Sequence, residues 1–266
     1  MHRKDPSSSA PAFAPGSVSF TGAGPGDPDL LTRQALRALA QADVVLHDSL
    51  ISPEILAEAG PDARLIETGK RGFAPSMAQA EINAQIVAHA RTGARVVRLK
   101  SGDATIFGRL DEEIEACDAA RIPWRILPGI TAASAAVASI GQSLTRRGRN
   151  ASVRLLTGHD MAGFADHDWT TLARPGEVAA IYMGKASARF VQGRLLMHGA
   201  ERATPVTLVE NASRPDQRIL ATTLDRLPVE LSAAGLDGPV LTLYGLAPRA
   251  AARVLPGLAT QQKEFA

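Results

Sequence analysis

The chain has 266 residues, 45% hydrophobic and 21% charged, with a formal net charge of +2. That balance suits a soluble globular protein with one large core or two smaller ones, and it is too near neutral to argue for nucleic acid. A single cysteine, Cys117, excludes an internal disulfide; the histidines fall at no metal-ligand spacing and no apolar run reaches membrane length, so neither a metal nor a membrane is expected.

Residues 1–16 are rich in Ser, Pro and Ala without periodicity and read as a disordered tail. They lack the apolar core of a secretion signal, which makes the cytoplasm the expected compartment. A short strand at 17–21 leads into Gly22-Ala23-Gly24-Pro25-Gly26-Asp27-Pro28. The dinucleotide fingerprint fails here in register, because its third glycine position is Asp27. Pro25 also removes a backbone N–H and Asp27 would repel a pyrophosphate, so a nicotinamide cofactor is disfavoured while a glycine-rich ligand loop stands.

The next helix is expected to start with Asp27 as N-cap and Pro28 in its first position, burying Leu31, Ala35, Leu36 and Leu39. The second strand, 43–47, ends at Asp48, an acid placed either for a site or simply to start a turn. Strand 64–67 opens into Thr68-Gly69-Lys70-Arg71-Gly72, a basic loop suited to an anion or to solvent. Ser76 and Gln79 spell a capping box before a helix with inner face Ala78, Ile82, Ile86 and Ala90, closed by Gly93.

Strand 96–100 feeds Ser101-Gly102-Asp103, and open α/β sheets bind ligands outside the carboxyl ends of their strands. Ser101 and Gly102 let a ligand approach bare backbone, and Asp103 adds a carboxylate. An acidic helix over 110–121 carries Cys117 on its buried face. Strand 124–127 ends at Pro128-Gly129-Ile130-Thr131-Ala132, where small residues allow close packing against a cofactor or merely against the sheet. The basic run 145–149 breaks the pattern and marks a boundary: two α/β domains over 17–147 and 148–249, flanked by tails at 1–16 and 250–266. In the second, strands are expected at 153–157, 178–183, 206–209, 219–222 and 240–244, and helices at 186–198 and 224–234. Tyr182-Met183-Gly184 and Glu210-Asn211-Ala212-Ser213 again put turn residues at strand ends. Loops of both domains facing one cleft is the economical architecture.

Gly22–Pro28, Gly69-Lys70-Arg71, Arg98–Asp103, Phe107-Gly108-Arg109, Pro128–Ala132, Tyr182-Met183-Gly184 and Glu210-Asn211 occur in the order and approximate spacing of the tetrapyrrole methylases. Through Gly69-Lys70-Arg71, Phe107-Gly108-Arg109 and Arg147 the chain most resembles the uroporphyrinogen-III C-methyltransferase branch. The resemblance implies the tetrapyrrole methylase fold, two α/β domains with the active-site cleft between them, and a homodimer. It implies S-adenosylmethionine as methyl donor, leaving as S-adenosylhomocysteine, with contacts from Pro25, Ser101, Gly102, Asp103, Ile106, Thr131, Ala132, Met183 and Ala212. Asp48 and Lys70 match the family's proton acceptor and donor, and Arg109, Glu112, Arg147 and Met183 its tetrapyrrole-binding positions. The implied reaction methylates uroporphyrinogen III at C2 and C7, giving precorrin-2 by way of precorrin-1, for sirohaem, cobalamin or haem d1.

Two departures stand out. Ser101 and Ala104 occupy places where the family usually has glycine and proline, and Leu110-Asp111 replace a glycine pair. The other readings are a sister methylase acting on a later precorrin and a non-catalytic protein that binds tetrapyrrole or cofactor. A polycarboxylate substrate would account for Lys70, Arg71, Arg109, Arg146, Arg147 and Arg149, since the guanidinium fork matches carboxylates. A solvated linker would equally account for Arg146, Arg147 and Arg149.

Overall fold

The computed structural model describes residues 13–69, 77–160 and 163–250. The first five expected strands form β1 (Val18–Gly22), β2 (Val44–His47), β3 (Arg64–Glu67), β4 (Val96–Lys100) and β5 (Trp124–Leu127). They make one sheet in the order β3-β2-β4-β1-β5, and every pairing is parallel. Helices α1 (Arg33–Gln41), α2 (Pro53–Leu56), α3 (Gln79–Arg91) and α4 (Leu110–Ala119) lie in the connections. Val45, Val97 and Leu99 pack with Ala38, Leu39 and Ile55 on one face. Val44, Leu46 and Val96 pack with Ile82, Ile86, Leu110 and Cys117 on the other. The inner strands β1, β2 and β4 are buried along their whole length, while the edge strands β3 and β5 carry Arg64, Glu67 and Arg125 and stay partly exposed. Each fully buried Leu or Ile in these layers contributes roughly 1.5–3 kcal/mol.

Two helix starts differ from expectation. Asp27 caps only a 3-10 turn, Pro28–Leu30, through its bond from the Asp29 amide. Thr32 is extended (φ −68°, ψ 149°) and recaps the chain, its Oγ1 accepting from the Ala35 amide at 3.1 Å. That break resets the helical phase, so Ala38 enters the core while Leu36 stays 39% exposed. In α3, Ala78 is the N-cap rather than an inner-face residue, and Ser76 of the expected capping box lies outside the described residues. The rest of that face, Ile82, Ile86 and Ala90, is buried as expected.

The chain divides into two units, Met1–Ile130 and Thr131–Ala266. This division falls earlier than the break expected after Arg147. The reason is α5 (Ala132–Ser139), which packs on the last strand of the second unit. Backbone bonds tie the end of α5 to the same region, Arg249 N to Ile140 O at 3.0 Å.

After α5 the second unit runs through β6 (Arg154–Thr157), a small hairpin of β7 (His159–Asp160) and β8 (Gly163–Phe164), and α6 (Trp169–Leu172). It continues with β9 (Ala179–Tyr182), α7 (Ala188–Met197), β10 (Pro205–Glu210), β11 (Arg218–Thr223), α8 (Leu227–Ala233) and β12 (Val240–Tyr244). Its sheet order is β11-β10-β12-β9-β6. Only β6 and β9 run parallel; the other pairings are antiparallel. Trp169, Leu172, Val191, Leu195, Leu227 and Leu231 from the helices close one face of this sheet. Among the described residues no helix is long and apolar enough to cross a membrane.

Candidate active site

In the first unit the loops that leave β1, β4 and β5 meet backbone to backbone. Gly24 and Gly102 form an isolated bridge, with N–H to carbonyl distances of 3.0 and 2.8 Å. A Cβ on Gly129 would lie 2.2 Å from the Gly102 carbonyl oxygen, and one on Gly22 would lie 2.6 Å from the Gly129 nitrogen. Glycine is required at Gly22 and Gly129 for contact rather than for dihedral freedom. Asp103 fastens the same junction: its Oδ2 accepts from the Gly129 amide at 2.9 Å, and its Oδ1 from Thr105 N at 2.8 Å and Thr105 Oγ1 at 2.5 Å. Asp103 is thus a structural tie between two loops. Pro25 and Gly102 are buried beside it, while Ser101 and Ile106 are half-buried.

Six described non-glycine residues have positive φ, and five of them cluster at strand carboxyl ends. Phe107 and Arg109 (both φ 51°) flank Gly108 in the β4–α4 loop; Met183 (φ 52°) follows β9; Asn211 (φ 50°) and Ser213 (φ 69°) flank Ala212 after β10. Each costs about 1–2 kcal/mol, and such strain gathers where a loop is shaped for function.

Arg109 lies at the N-cap of α4 and forms a two-pronged pair with Glu112, Nε to Oε1 and Nη2 to Oε2, both 2.7 Å. Their bond to each other raises the Arg109 pKa and lowers that of Glu112. Both side chains are exposed beside a groove of about 490 Å³ that Phe107, Leu110, Ile114 and Ile126 also line. The two expected substrate positions are therefore partners of one another.

Asp48 follows β2 directly. Its Oδ1 lies 2.5 Å from Nη2 of Arg98, whose Nε is 2.9 Å from Oε1 of Glu113. Glu113 also accepts from Lys100 Nζ at 2.9 and 2.8 Å, and from Gln79 Nε2 at 3.3 Å. Side-chain exposure falls from 31% at Asp48 to 4% at Arg98 and 0% at Glu113, with Lys100 at 5%. Period-two alternation explains the placement: Arg98 and Lys100 share the Val96 face, and Glu113 shares the inner stripe of α4 with Leu110 and Cys117. Burial opposes the Arg98 charge, but Asp48 and Glu113 outweigh it and raise its pKa. Burial and then the Arg98 charge lower Lys100, against the pull of Glu113. Two cations and two carboxylates form one neutral network. Lys70, the expected partner of Asp48 in catalysis, lies outside the described residues, as does Arg71.

In the second unit Thr131 is the N-cap of α5, and its Oγ1 is bonded to the Tyr182 hydroxyl. The same hydroxyl accepts from the Ala133 amide at 3.2 Å. Thr131 and Ala132 are half-buried, Met183 is 52% exposed and Ala212 is buried. Arg147 is exposed in a tight turn closed by the Arg146–Asn150 bridge. Arg149 is drawn inward instead, with Nη2 on the Ser143 and Leu144 carbonyls at 2.7 and 3.2 Å and Nε on Asn150 Oδ1 at 3.0 Å. It frames the turn, so the basic run is only partly an open cationic face.

The Arg98–Glu113–Lys100 network was not anticipated. Its signal was two cations alternating within an otherwise apolar strand, and an acid at the buried phase of α4.

Residues 17–228 match the family model of the tetrapyrrole (corrin/porphyrin) methylases. Siroheme synthase of Azotobacter vinelandii is 44% identical over 230 residues, and siroheme synthase 1 of Yersinia enterocolitica is 46% identical over 230; each alignment covers 86% of this chain. It covers 50% and 48% of those relatives, so the chain spans about half the length of the curated proteins it matches. Among solved structures, a uroporphyrin-III C-methyltransferase of Thermus thermophilus complexed with S-adenosylhomocysteine superposes with TM-score 0.74 at 32% identity, over 90% of this chain and 100% of that one. A cobalt precorrin-4 methyltransferase superposes with TM-score 0.78 at 29% identity, over 86% and 95%. Strand-end loops, their glycine contacts and these likenesses together make the chain a methyltransferase of the tetrapyrrole methylase family.

Proposed function

We propose that the chain methylates uroporphyrinogen III at C2 and C7, giving precorrin-2 by way of precorrin-1. The observation that carries this reading is Asp48: a partly exposed carboxylate at a strand's carboxyl end, held by a buried arginine. Bound S-adenosylmethionine supplies an electrophilic methyl group for attack by a pyrrole carbon. Attack leaves a cation that must lose a proton; Asp48 accepts it, and Lys70 tunes that carboxylate electrostatically. The loops fit the cofactor: Gly24 and Gly102 carry no side chain at the β1–β4 junction, and Ser101 and Ile106 beside them are half-buried. Pro25, Ser101, Gly102, Ile106, Thr131, Ala132, Met183 and Ala212 are the residues assigned to hold it, with Asp103 bracing the loop. Arg109, Glu112, Arg147 and Met183 are assigned to the tetrapyrrole, and the guanidinium groups suit its carboxylates. Holding both reactants in line supplies much of the rate. The same reading carries a cytoplasmic homodimer that needs no nucleic acid.

The higher TM-score of the cobalt precorrin-4 methyltransferase favours one second reading, a sister methylase on a later precorrin. Anaerobic incubation with S-adenosylmethionine and either uroporphyrinogen III or a later precorrin separates the two. Methylation of uroporphyrinogen III, slowed in Asp48→Asn while both ligands still bind, supports the first. Methylation of the later precorrin alone supports the second.

A further inference from the structure

We propose that Arg98 is the positioning residue for Asp48, and that Glu113 fixes Arg98 in the pose that does so. The inference rests on the reaction proposed above. Arg98 and Leu46 are opposite one another in the β2–β4 register. From there the guanidinium reaches the end of β2 twice, Nη2 to Asp48 Oδ1 at 2.5 Å and Nη1 to the Leu46 carbonyl at 3.5 Å; Nη1 also donates to Leu99 O at 3.2 Å. Every nitrogen of the fork is engaged, with Nε on Glu113. Glu113 is itself gripped on both oxygens by Lys100, and by Gln79 on one.

Stability alone does not explain this arrangement. Apolar side chains of similar volume commonly replace buried ion networks with no loss, or with a gain. Two cations and a carboxylate in a covered sheet face are accounted for by what they do at the exposed end. A lone aspartate at a strand end rotates among staggered conformers. Here its Oδ1 is pinned by a guanidinium that is only 4% exposed and fixed from behind, which leaves Oδ2 as the proton acceptor. The chain of causes runs from Glu113 through Arg98 to Asp48, and Lys100 balances the charge.

The test is a double-mutant cycle on kcat with uroporphyrinogen III, together with calorimetric affinity for S-adenosylhomocysteine and the melting temperature. Arg98→Lys keeps the charge and loses the fork. It is expected to lower kcat roughly 10- to 100-fold, the scale of a misplacement near 1 Å, with KM and cofactor affinity within about threefold of wild type. In an Asp48→Asn background the same substitution is expected to change kcat by less than about threefold, because the group that Arg98 positions is gone. Should Arg98→Lys fail to fold, Glu113→Gln takes its place. It keeps the shape and an acceptor for Nε, and its smaller loss of kcat is likewise expected to vanish beside Asp48→Asn. Losses that multiply through the cycle, or that fall on KM and cofactor affinity instead, overturn the positioning role. An Asp48→Asn enzyme as fast as wild type, or a wild type that adds no methyl to uroporphyrinogen III, overturns the reaction itself, so the two failures are distinct.

Discussion

Gly129→Ala is the sharpest structural probe of the β1–β4–β5 loop junction. The added methyl carbon would lie 2.2 Å from the Gly102 carbonyl oxygen, 2.8 Å from Gly22 Cα and 2.9 Å from Gly22 C. All three are backbone atoms, so no side chain can swing away to relieve them. Overpacking of this kind costs about 1–3 kcal/mol. Separating the loops also stretches the 2.9 Å bond from the Gly129 amide to Asp103, and a bond to a charged group contributes about 1.5–3 kcal/mol. Partial relaxation leaves an expected loss of about 2–4 kcal/mol, or roughly 5–15 °C in melting temperature for a chain this long. Gly93→Ala is the matched control, since Gly93 has φ +88° and nothing within 4 Å of an added Cβ. It should lose only the dihedral cost, about 1–2 kcal/mol. Calorimetric melting of both variants without ligand decides the matter. A Gly129→Ala protein that melts with wild type, or no lower than Gly93→Ala, would refute the contact argument.

Three further outcomes follow from the geometry. Arg109→Ala should weaken binding of a polycarboxylate tetrapyrrole roughly 10- to 100-fold while leaving S-adenosylhomocysteine affinity nearly intact; equal loss of both in titration calorimetry would make Arg109 structural. Tyr182→Phe removes the acceptor of the Ala133 amide and the partner of Thr131, and should cost about 1–2 kcal/mol in urea unfolding; an unchanged midpoint would show that water replaces the hydroxyl. Burial, and then the charges of Asp118 and Glu113, push the Cys117 thiol from 9.0 up to about 11. The unfolded chain sheds this proton first, so its contribution to stability is full below pH 9 and is lost as pH rises through 11. Cys117→Ala should flatten that part of the stability–pH curve, and a curve parallel to wild type would count against the buried thiol.

Much of the first unit was legible because its inner strands are buried on both faces and read as largely apolar runs, as at 44–47. The second unit's core strand at 240–244 was legible for the same reason. Helix phase was less so. Thr32 has nothing in its residue type to distinguish a mid-helix threonine from a new N-cap, and its extended backbone moved Leu36 outward. The alanines of α5 carry no mark of which sheet they cover, so sequence could not assign the helix to the second unit. Asp48 stood out by its place at a strand end, yet its partner Arg98 comes from a different strand and Glu113 from a helix beyond. Non-glycine residues at positive φ, such as Phe107, Met183 and Asn211, leave no mark in composition. Asp103 was legible as a loop residue, but its bond to the Gly129 amide belongs to the tertiary structure alone.

Carbon NMR of the product made from uroporphyrinogen III and S-adenosylmethionine labelled in its methyl group reads the proposed reaction directly. Two labelled methyl carbons per tetrapyrrole are expected, on C2 and C7 of rings A and B, with a singly labelled species appearing first. Label on any other carbon, or an unlabelled tetrapyrrole recovered from active, cofactor-binding protein, would contradict it.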